Sequence, residues 1–193
     1  MSRRVVITGQ GAINALGNSA TATMQAMAEG RCGIGTLEIR DAARLQIGIA
    51  GQVKGYDEAA HFGRSELVLY DRFTQFALLA AREAMDQSGL NVGASDPTRT
   101  GVVLGTSGGG LQTQDENYRL VYEEGKNRVH PFVVPRLMNN AATSHVSMTH
   151  GAQGPSFTVA TACASSNHAM GLAFHLIRSG MVDSMITGGS ESM

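Results

Sequence analysis

One cysteine stands where a nucleophile is expected. Cys163 follows a short apolar stretch typical of a strand (157–161) and precedes a long apolar segment with helical character (165–179). Backbone N–H groups at a helix N-terminus favour a thiolate and can hold the oxyanion of a thioester under attack. The neighbouring residues are alanine, serine and threonine, which leaves room for a substrate carbonyl. The pattern predicts a nucleophile elbow with sulfur as the nucleophile, and the alternative is a small buried structural cysteine.

Other residue types with chemical potential form weaker patterns. Cys32 lies between a predicted helix and a turn and is interpreted as structural. The two cysteines lack CxxC spacing and the six histidines form no HExxH pattern, so no metal site is predicted. His168 and His175 share one face of the predicted helix and are interpreted as core histidines.

Three glycine motifs also resemble known sites but are incomplete. "GTSGGG" at 105–110 lacks the Lys-Ser/Thr of a phosphate-binding loop, and "GGSES" at 188–192 lacks the last glycine of a serine-hydrolase elbow. "GQG" at 9–11 follows a predicted strand. The acidic residue at the spacing of a dinucleotide site, Glu29, falls at a helix end, which disfavours that reading.

The elements that must position the cysteine alternate between strand and helix. Strands are predicted at 5–8, 47–53, 100–104, 157–161 and 185–187, and helices at 19–29, 71–89 and 165–179. Short glycine turns join them, which indicates a layered α/β fold with a mostly parallel mixed sheet covered by helices. The polar segment 110–140 is predicted to be an irregular excursion from the sheet. The helix at 165–179 is apolar nearly all round and is expected to be buried.

Composition limits the possible partners. The chain has 193 residues, a formal net charge of -1 and no run of basic residues longer than two, so no nucleic-acid surface is predicted. No apolar run reaches the roughly 18 residues of a membrane span, and we expect a soluble cytoplasmic protein without membrane contact. The length suits one domain or one half of a larger one.

Several collinear stretches resemble the β-ketoacyl-acyl-carrier-protein synthases, the elongating condensing enzymes of the thiolase superfamily. They are "RRVVITGQGAINALG", "AREAMDQSGL", "GVVLGTSGGG", "HPFVVP", "GAQGPSFTVATACASSNHAMG" and "GGSESM", and together they cover essentially the whole chain. The resemblance implies the first half of a thiolase-like αβαβα fold and a homodimer, with the excursion reaching toward the dimer interface. It makes Cys163 the nucleophile, with its own N–H in the oxyanion hole, of a decarboxylative Claisen condensation between an acyl thioester and malonyl-acyl-carrier protein.

The same resemblance assigns an acyl pocket and leaves alternatives open. It maps the pocket onto Gly108, Phe132, Val133 and Met138, implies no metal, nucleotide or flavin cofactor, and makes acyl-carrier protein the partner. Family members run to about twice this length and carry their catalytic histidines and lysine in the second half. We therefore expect residues 1–193 alone to be inactive in condensation. A degradative thiolase using coenzyme A and a noncatalytic dimerisation half are the alternatives.

Candidate sites for carrier-protein docking are scattered basic residues. Arg64, Arg72 and Arg128 could contact an acidic carrier protein, although no basic cluster dominates. Ordinary solvated surface is the simpler interpretation of each.

Overall fold

A three-stranded parallel sheet forms the centre of the molecule in the computed structural model, which describes residues 3–193. Its strands are β3 (Thr100–Gly105), β4 (Ser156–Val159) and β5 (Ser184–Gly189), in the order β4-β3-β5. All six residues of β3 are buried, as the continuous apolarity of this stretch predicts for a strand covered on both faces. The predicted parallel sheet is confirmed.

Helices cover the two faces of this sheet. Helices α3 (Arg72–Ser88) and α6 (Ala141–His150) pack on the face that carries Val102, Leu104 and Ile186, and together they form the main apolar core. Helix α7 (Ser165–Arg178) lies against the opposite face, because its first turn rests on Gly105, one residue along β3 from Leu104. The result is a helix–sheet–helix layering.

Helix α3 follows its sequence signals at both ends. The Asp71 carboxylate accepts a hydrogen bond from the N–H of Phe73 at 3.2 Å and caps the N-terminus. Gly89 ends the helix in the left-handed conformation, with φ of 64°. The predicted helix 71–89 is confirmed with its caps.

The predicted strand at 5–8 is wrong. None of the described strands pairs with this segment, and the side chains of Val6 and Ile7 are 60% and 88% exposed. The backbone that follows packs on α3, because a Cβ atom at Gly9 would lie 2.0 Å from the carbonyl oxygen of Ala84. Strand-forming side chains therefore do not suffice here, since a strand also needs a partner for its backbone groups.

Helix α1 (Ala20–Ala28) is held to the same surface of α3. Ser19 caps it by accepting a hydrogen bond from the N–H of Ala22 at 3.1 Å. The Glu83 carboxylate on α3 accepts from the N–H groups of Ala12 and Ala20, each at 2.9 Å. This one side chain thereby fixes the N-terminal segment against the core.

The remaining elements lie outside the main sheet. Strands β1 (Ile34–Thr36) and β2 (Ile49–Gly51) form a separate antiparallel pair, so the prediction at 47–53 is confirmed only for its centre. Helix α2 spans Arg64–Leu67. The segment predicted to be irregular is largely helical: α4 spans Leu111–Tyr118, a π-helical turn spans Arg119–Glu123, and α5 spans Val133–Leu137.

Helix α7 is less buried than its composition predicts. Only Ser165, Ala169 and Ala173 are buried on it, while Met170 and Leu172 are each 42% exposed. The expectation of a fully buried helix is wrong, because the residues 3–193 supply only one surface for it to pack against. Within that range, no helix has the length and apolarity needed to cross a membrane, and no three potential metal ligands cluster together.

Candidate active site

Cys163 occupies a tight turn between β4 and α7. The turn is closed by hydrogen bonds from Ala164 N to Thr161 O at 3.1 Å and from Ser165 N to Ala162 O at 3.0 Å. Ala162 has φ of 50°, a left-handed conformation that is uncommon for a residue with a side chain. The cysteine that follows is exposed. The strand–turn–helix setting of Cys163 therefore matches the sequence prediction, with the backbone strain on the residue before it.

Ser165 stabilises this strained turn, and sequence reasoning gave it no role. Its hydroxyl donates to the carbonyl oxygen of Ala162 at 2.7 Å and accepts from the N–H of Thr161 at 2.8 Å. The residue is 4% exposed, so water competes little for these bonds. A left-handed non-glycine residue costs on the order of 1–3 kcal/mol, which the bonds of Ser165 help to offset.

The N-terminus of α7 faces the same turn. The first intrahelical hydrogen bond runs from His168 N to Ala164 O at 3.0 Å, so the N–H groups of Ser166 and Asn167 precede it. Ala164 at the N-cap has no side chain that could cap them. The positive end of the helix is thus directed at the segment that carries the thiol.

The carboxyl ends of all three central strands meet beside this turn. Thr106, directly after β3, donates its N–H to Val159 O of β4 at 3.1 Å, and Ser190, directly after β5, donates to Gly105 O at 3.0 Å. In open α/β sheets, ligands bind at this edge. The Cys163 turn, the glycine-rich loop (residues 106–110) and residues 190–192 therefore all follow strand ends at the same edge of the sheet.

Glu191 fastens the glycine-rich loop within this site. Its carboxylate accepts hydrogen bonds from Ser107 N at 2.8 Å, Gly108 N at 3.2 Å and the hydroxyls of Thr106 and Ser107. Burial alone would raise the pKa of Glu191, but the hydrogen bonds from Ser107, Gly108 and Thr106 outweigh it and lower the pKa below its ordinary value. Glu191 is therefore an anion at neutral pH, and the sequence prediction missed it.

Gly108 lies in this loop, next to the side chain of Leu111. A Cβ atom at Gly108 would come 2.6 Å from Leu111 Cδ1 and 3.4 Å from Glu191 Oε1. Its φ lies outside the left-handed region, so backbone conformation does not require glycine here. The requirement is spatial, and Leu111 already occupies part of the room that the missing side chain leaves.

The other predicted pocket residues lie on and around α5. The end of α5 meets the glycine-rich loop through a hydrogen bond from Gly110 N to Leu137 O at 3.1 Å. Met138 is the next residue in the chain after Leu137. Phe132 and Val133 lie at the opposite end of α5. Phe132 and Met138 are exposed and Val133 is half-buried.

The histidine prediction is wrong. His168 and His175 are both exposed on α7, and the ring of His175 packs edge-on against Phe174. The face of α7 on which they lie is exposed, and Met170 and Leu172 of this helix are exposed as well.

Contacts in the structure account for Ser190 of the 188–192 motif and for Arg72, one of the candidate docking residues. Ser190 uses its hydroxyl to donate to Phe73 O at 2.6 Å, so it braces α3. Arg72 stacks over the rings of Tyr56 and Phe76 at 5.4 and 5.5 Å, whereas Arg64 and Arg128 are exposed.

A large concavity lies away from the cysteine. It is an open groove of about 1660 Å³ between the β1–β2 pair and α4, and it reaches Glu191 at one end. Cys163 does not line it. The chemistry of the thiol, rather than the size of a cavity, therefore marks the candidate active site.

Comparison with known proteins assigns this architecture to a family. The sequence profile of the beta-ketoacyl synthase N-terminal domain matches residues 2–193. The chain belongs to the beta-ketoacyl synthase family. Its relatives include 3-oxoacyl-[acyl-carrier-protein] synthase 2 of Staphylococcus aureus (strain COL), 37% identical over 191 residues, which are 99% of this chain and 46% of the relative. Nodulation protein E of Rhizobium sp. (strain N33) is 40% identical over 192 residues, which are 100% of this chain and 48% of the relative.

Solved ketosynthases share the fold. The ishigamide ketosynthase/chain length factor superposes with a TM-score of 0.91 at 25% identity, covering 100% of this chain and 48% of that one. A type II polyketide synthase acyl-carrier protein in complex with its ketosynthase superposes with a TM-score of 0.82 at 27% identity, covering 100% and 52%. The predicted thiolase-like fold is thereby confirmed. The beta-ketoacyl synthase chain spans about half the length of the curated relatives it matches.

Proposed function

We propose that the full-length protein is a β-ketoacyl-acyl-carrier-protein synthase that uses Cys163 as its nucleophile. The observation that carries the proposal is the exposed thiol on a strained turn at the N-terminus of α7, within a beta-ketoacyl synthase N-terminal domain. The reaction is a decarboxylative Claisen condensation, in which an acyl group is extended to a 3-ketoacyl thioester. It serves fatty acid or polyketide synthesis.

The reaction proceeds in two halves that share the cysteine. First, the Cys163 thiolate attacks the carbonyl carbon of an acyl-carrier-protein thioester, the C–S bond to the carrier breaks, and the carrier leaves as its thiol after taking a proton. Next, malonyl-acyl-carrier protein loses its carboxylate as CO₂, and the electron pair of that C–C bond forms a carbanion. The carbanion attacks the acyl-Cys163 carbonyl, and the thiolate leaves as 3-ketoacyl-carrier protein forms. The covalent step separates one difficult encounter into two oriented ones.

The chain supplies the groups for the first half-reaction. The N–H of Cys163 and the positive end of α7 stabilise negative charge on the acyl carbonyl oxygen. By family resemblance, the histidines and lysine that activate the malonyl thioester belong to the second half of the full-length protein. Malonyl activation is therefore assigned to that half.

Partners and location follow from the same proposal. Acyl-carrier protein delivers both substrates, which the solved ketosynthase complex with such a carrier supports by analogy. The exposed Arg64 and Arg128 are available to an acidic carrier surface, whereas Arg72 is engaged with Tyr56 and Phe76. We further propose a homodimer in the cytoplasm and no cofactor.

The test is a condensation assay with the full-length protein. Acyl- and malonyl-acyl-carrier protein should give 3-ketoacyl-acyl-carrier protein, and Cys163→Ala should abolish both this product and the acyl-enzyme seen by mass spectrometry. Cys32→Ser is the matched control, because Cys32 is also exposed and free but has no helix N-terminus, and it should retain activity. Product formation from two acyl-coenzyme A molecules without malonyl thioester would instead identify a thiolase. Undiminished condensation by Cys163→Ala would refute the proposal.

A further inference from the structure

The carboxylate of Glu191 is fully occupied by the glycine-rich loop. One oxygen accepts from Thr106 Oγ1 at 3.1 Å and Gly108 N at 3.2 Å, and the other accepts from the N–H and hydroxyl of Ser107. Consecutive backbone N–H groups of this kind form a ready anion site. Here the anion is internal, so the loop holds a carboxylate of its own chain instead of a substrate phosphate.

The hold of Glu191 extends beyond the residues it touches. Thr106 is 4% exposed, and its hydroxyl also accepts from Gly109 N at 3.2 Å, so one buried hydroxyl links Glu191 to the far side of the loop. Gly110 in turn donates to Leu137 O at 3.1 Å. Hydrogen bonds from Glu191 through Thr106 to Gly109, and from the neighbouring Gly110 to Leu137, therefore tie the loop at both sides.

The start of the glycine-rich loop lies close to the start of α7, the helix that follows Cys163. A Cβ atom at Gly105, the residue before the loop, would lie 2.5 Å from Ser166 N in the first turn of α7. The backbone of β3 and the start of α7 are therefore in direct contact. The strand end from which the loop starts therefore packs against the helix that follows Cys163.

We propose that Glu191 is a positioning residue that holds the glycine-rich loop in the shape that accommodates the acyl chain on Cys163, and so sets selectivity for acyl length. The inference rests on the proposed function. Glu191 acts through Gly108 in the loop and through Leu111, the first residue of α4, whose side chain lies beside Gly108, and it contacts no reacting atom. The group that the loop would contact is the alkyl chain of the acyl thioester.

The decisive variant is Glu191→Gln in the full-length protein. The side-chain amide nitrogen of glutamine can only donate, and it would replace an oxygen that accepts two hydrogen bonds from the loop. At least those two hydrogen bonds are therefore lost. Amide deuterium uptake of a peptide covering the loop should rise. The initial rate of Cys163 acylation, measured by intact-protein mass spectrometry, should show a lower ratio of decanoyl- to butanoyl-acyl-carrier protein. We expect that ratio to fall about fivefold or more, as loss of a charge-assisted bond predicts.

Two variants make the result specific. Glu83→Gln removes another carboxylate that binds backbone N–H groups, those of Ala12 and Ala20, away from the loop. It should lower the thermal midpoint while leaving the acylation ratio unchanged. Ser107→Ala keeps the backbone donor and removes only the hydroxyl, so it should shift the ratio in the same direction as Glu191→Gln but less.

The outcomes separate this inference from the proposed function. Unchanged loop exchange or an unchanged acylation ratio in Glu191→Gln would overturn it, as would an equal change of the ratio in Glu83→Gln. Normal Cys163 acylation by the unaltered protein, with any of those results, leaves the proposed function intact. Absence of acylation in the unaltered protein, with both thioesters, would overturn the proposed function and this inference with it.

Discussion

Gly105 and Gly189 lie side by side as register partners on β3 and β5, and the first turn of α7 rests on both. A Cβ atom at Gly105 would come 2.2 Å from the carbonyl carbon of Ser165, and one at Gly189 would come 2.8 Å from Ser166 Cβ. Two missing side chains thus allow the helix to approach the sheet. This close approach places the N-terminus of α7 at the strand ends, where Cys163 lies.

The first prediction concerns this contact. Gly105→Ala in the full-length protein should push backbone against backbone, so the free energy of unfolding should fall by about 3 kcal/mol, at the upper end of overpacking costs. The rate of Cys163 alkylation should fall with it, because the helix end is displaced. Gly171→Ala on the same helix is the matched control, because among residues 3–193 no atom lies within 4 Å of a Cβ atom placed there. Alanine should leave the contact between α7 and β3 intact and cost less stability than Gly105→Ala. Chemical denaturation measures both. Equal effects would contradict the packing argument.

The two cysteines provide the second prediction. Both are exposed and free, so access alone would make them react equally with iodoacetamide. The helix N-terminus beside Cys163 should make it react faster at neutral pH, by up to about thirtyfold, since such a terminus favours an anion by up to about 2 kcal/mol. Peptide mapping after brief labelling gives the two rates. Preferential labelling of Cys32 would show that the helix does not activate the thiol.

Local signals predicted much of the fold, and long-range contacts account for what was missed. The capped helix α3, the buried strand β3 and the turn at Cys163 each follow from residues close together in the chain. The Glu191–Ser107 contact joins residues 84 positions apart, and no periodicity or motif points to it. The strand prediction for 5–8 was wrong for a related reason, because the composition of a segment does not determine whether a partner strand lies beside it.

The third prediction concerns residues 1–193 as an isolated chain. Apolar side chains on α7, including Met170, Leu172 and Phe174, are exposed. Because an uncovered apolar surface promotes association, the isolated chain should bind a hydrophobic dye strongly and form aggregates, while full-length protein should do neither. It should give no 3-ketoacyl product and at most slow acylation at Cys163. A product assay beside size-exclusion chromatography makes the comparison, and condensation at the full-length rate would contradict it.

The fourth prediction uses Tyr56. Burial, with smaller contributions from Glu58 and Asp57, raises its pKa from 10.0 to about 12, against an opposing effect of Arg72. The unfolded state loses the phenolic proton near pH 10 and the folded state only near 12. The free energy of unfolding should therefore hold below pH 10 and decline between about 10 and 12.

Tyr56→Phe isolates this contribution. The ring that lies under Arg72 and packs edge-on with Phe76 is kept, while the hydroxyl and its hydrogen bond to Gln75 are removed. Ultraviolet titration of tyrosinate should then lose the component near pH 12, and the alkaline decline in stability should become shallower. An unchanged titration curve would show that another tyrosine is responsible.

The last prediction concerns Gly108 and the length of the acyl chain. Isoleucine at this position would enter space that Leu111 already borders, with Leu111 Cδ1 only 2.6 Å from the new Cβ atom, so it should push Leu111 into the proposed acyl path. Each buried methylene contributes about 0.8 kcal/mol, so in the full-length protein Gly108→Ile should slow the proposed elongation beyond about ten carbons by about tenfold relative to short chains.

Two further variants decide how this happens. Leu111→Ala in the Gly108→Ile background restores volume and should recover long-chain elongation. Gly110→Ala should instead damage the loop, because its Cβ would meet Arg136 O at 2.6 Å, and elongation should then fall equally at all lengths. Steady-state rates with acyl-carrier proteins of increasing chain length distinguish the patterns. A uniform loss in Gly108→Ile would assign Gly108 to loop geometry, and an unchanged length profile would place it away from the acyl chain.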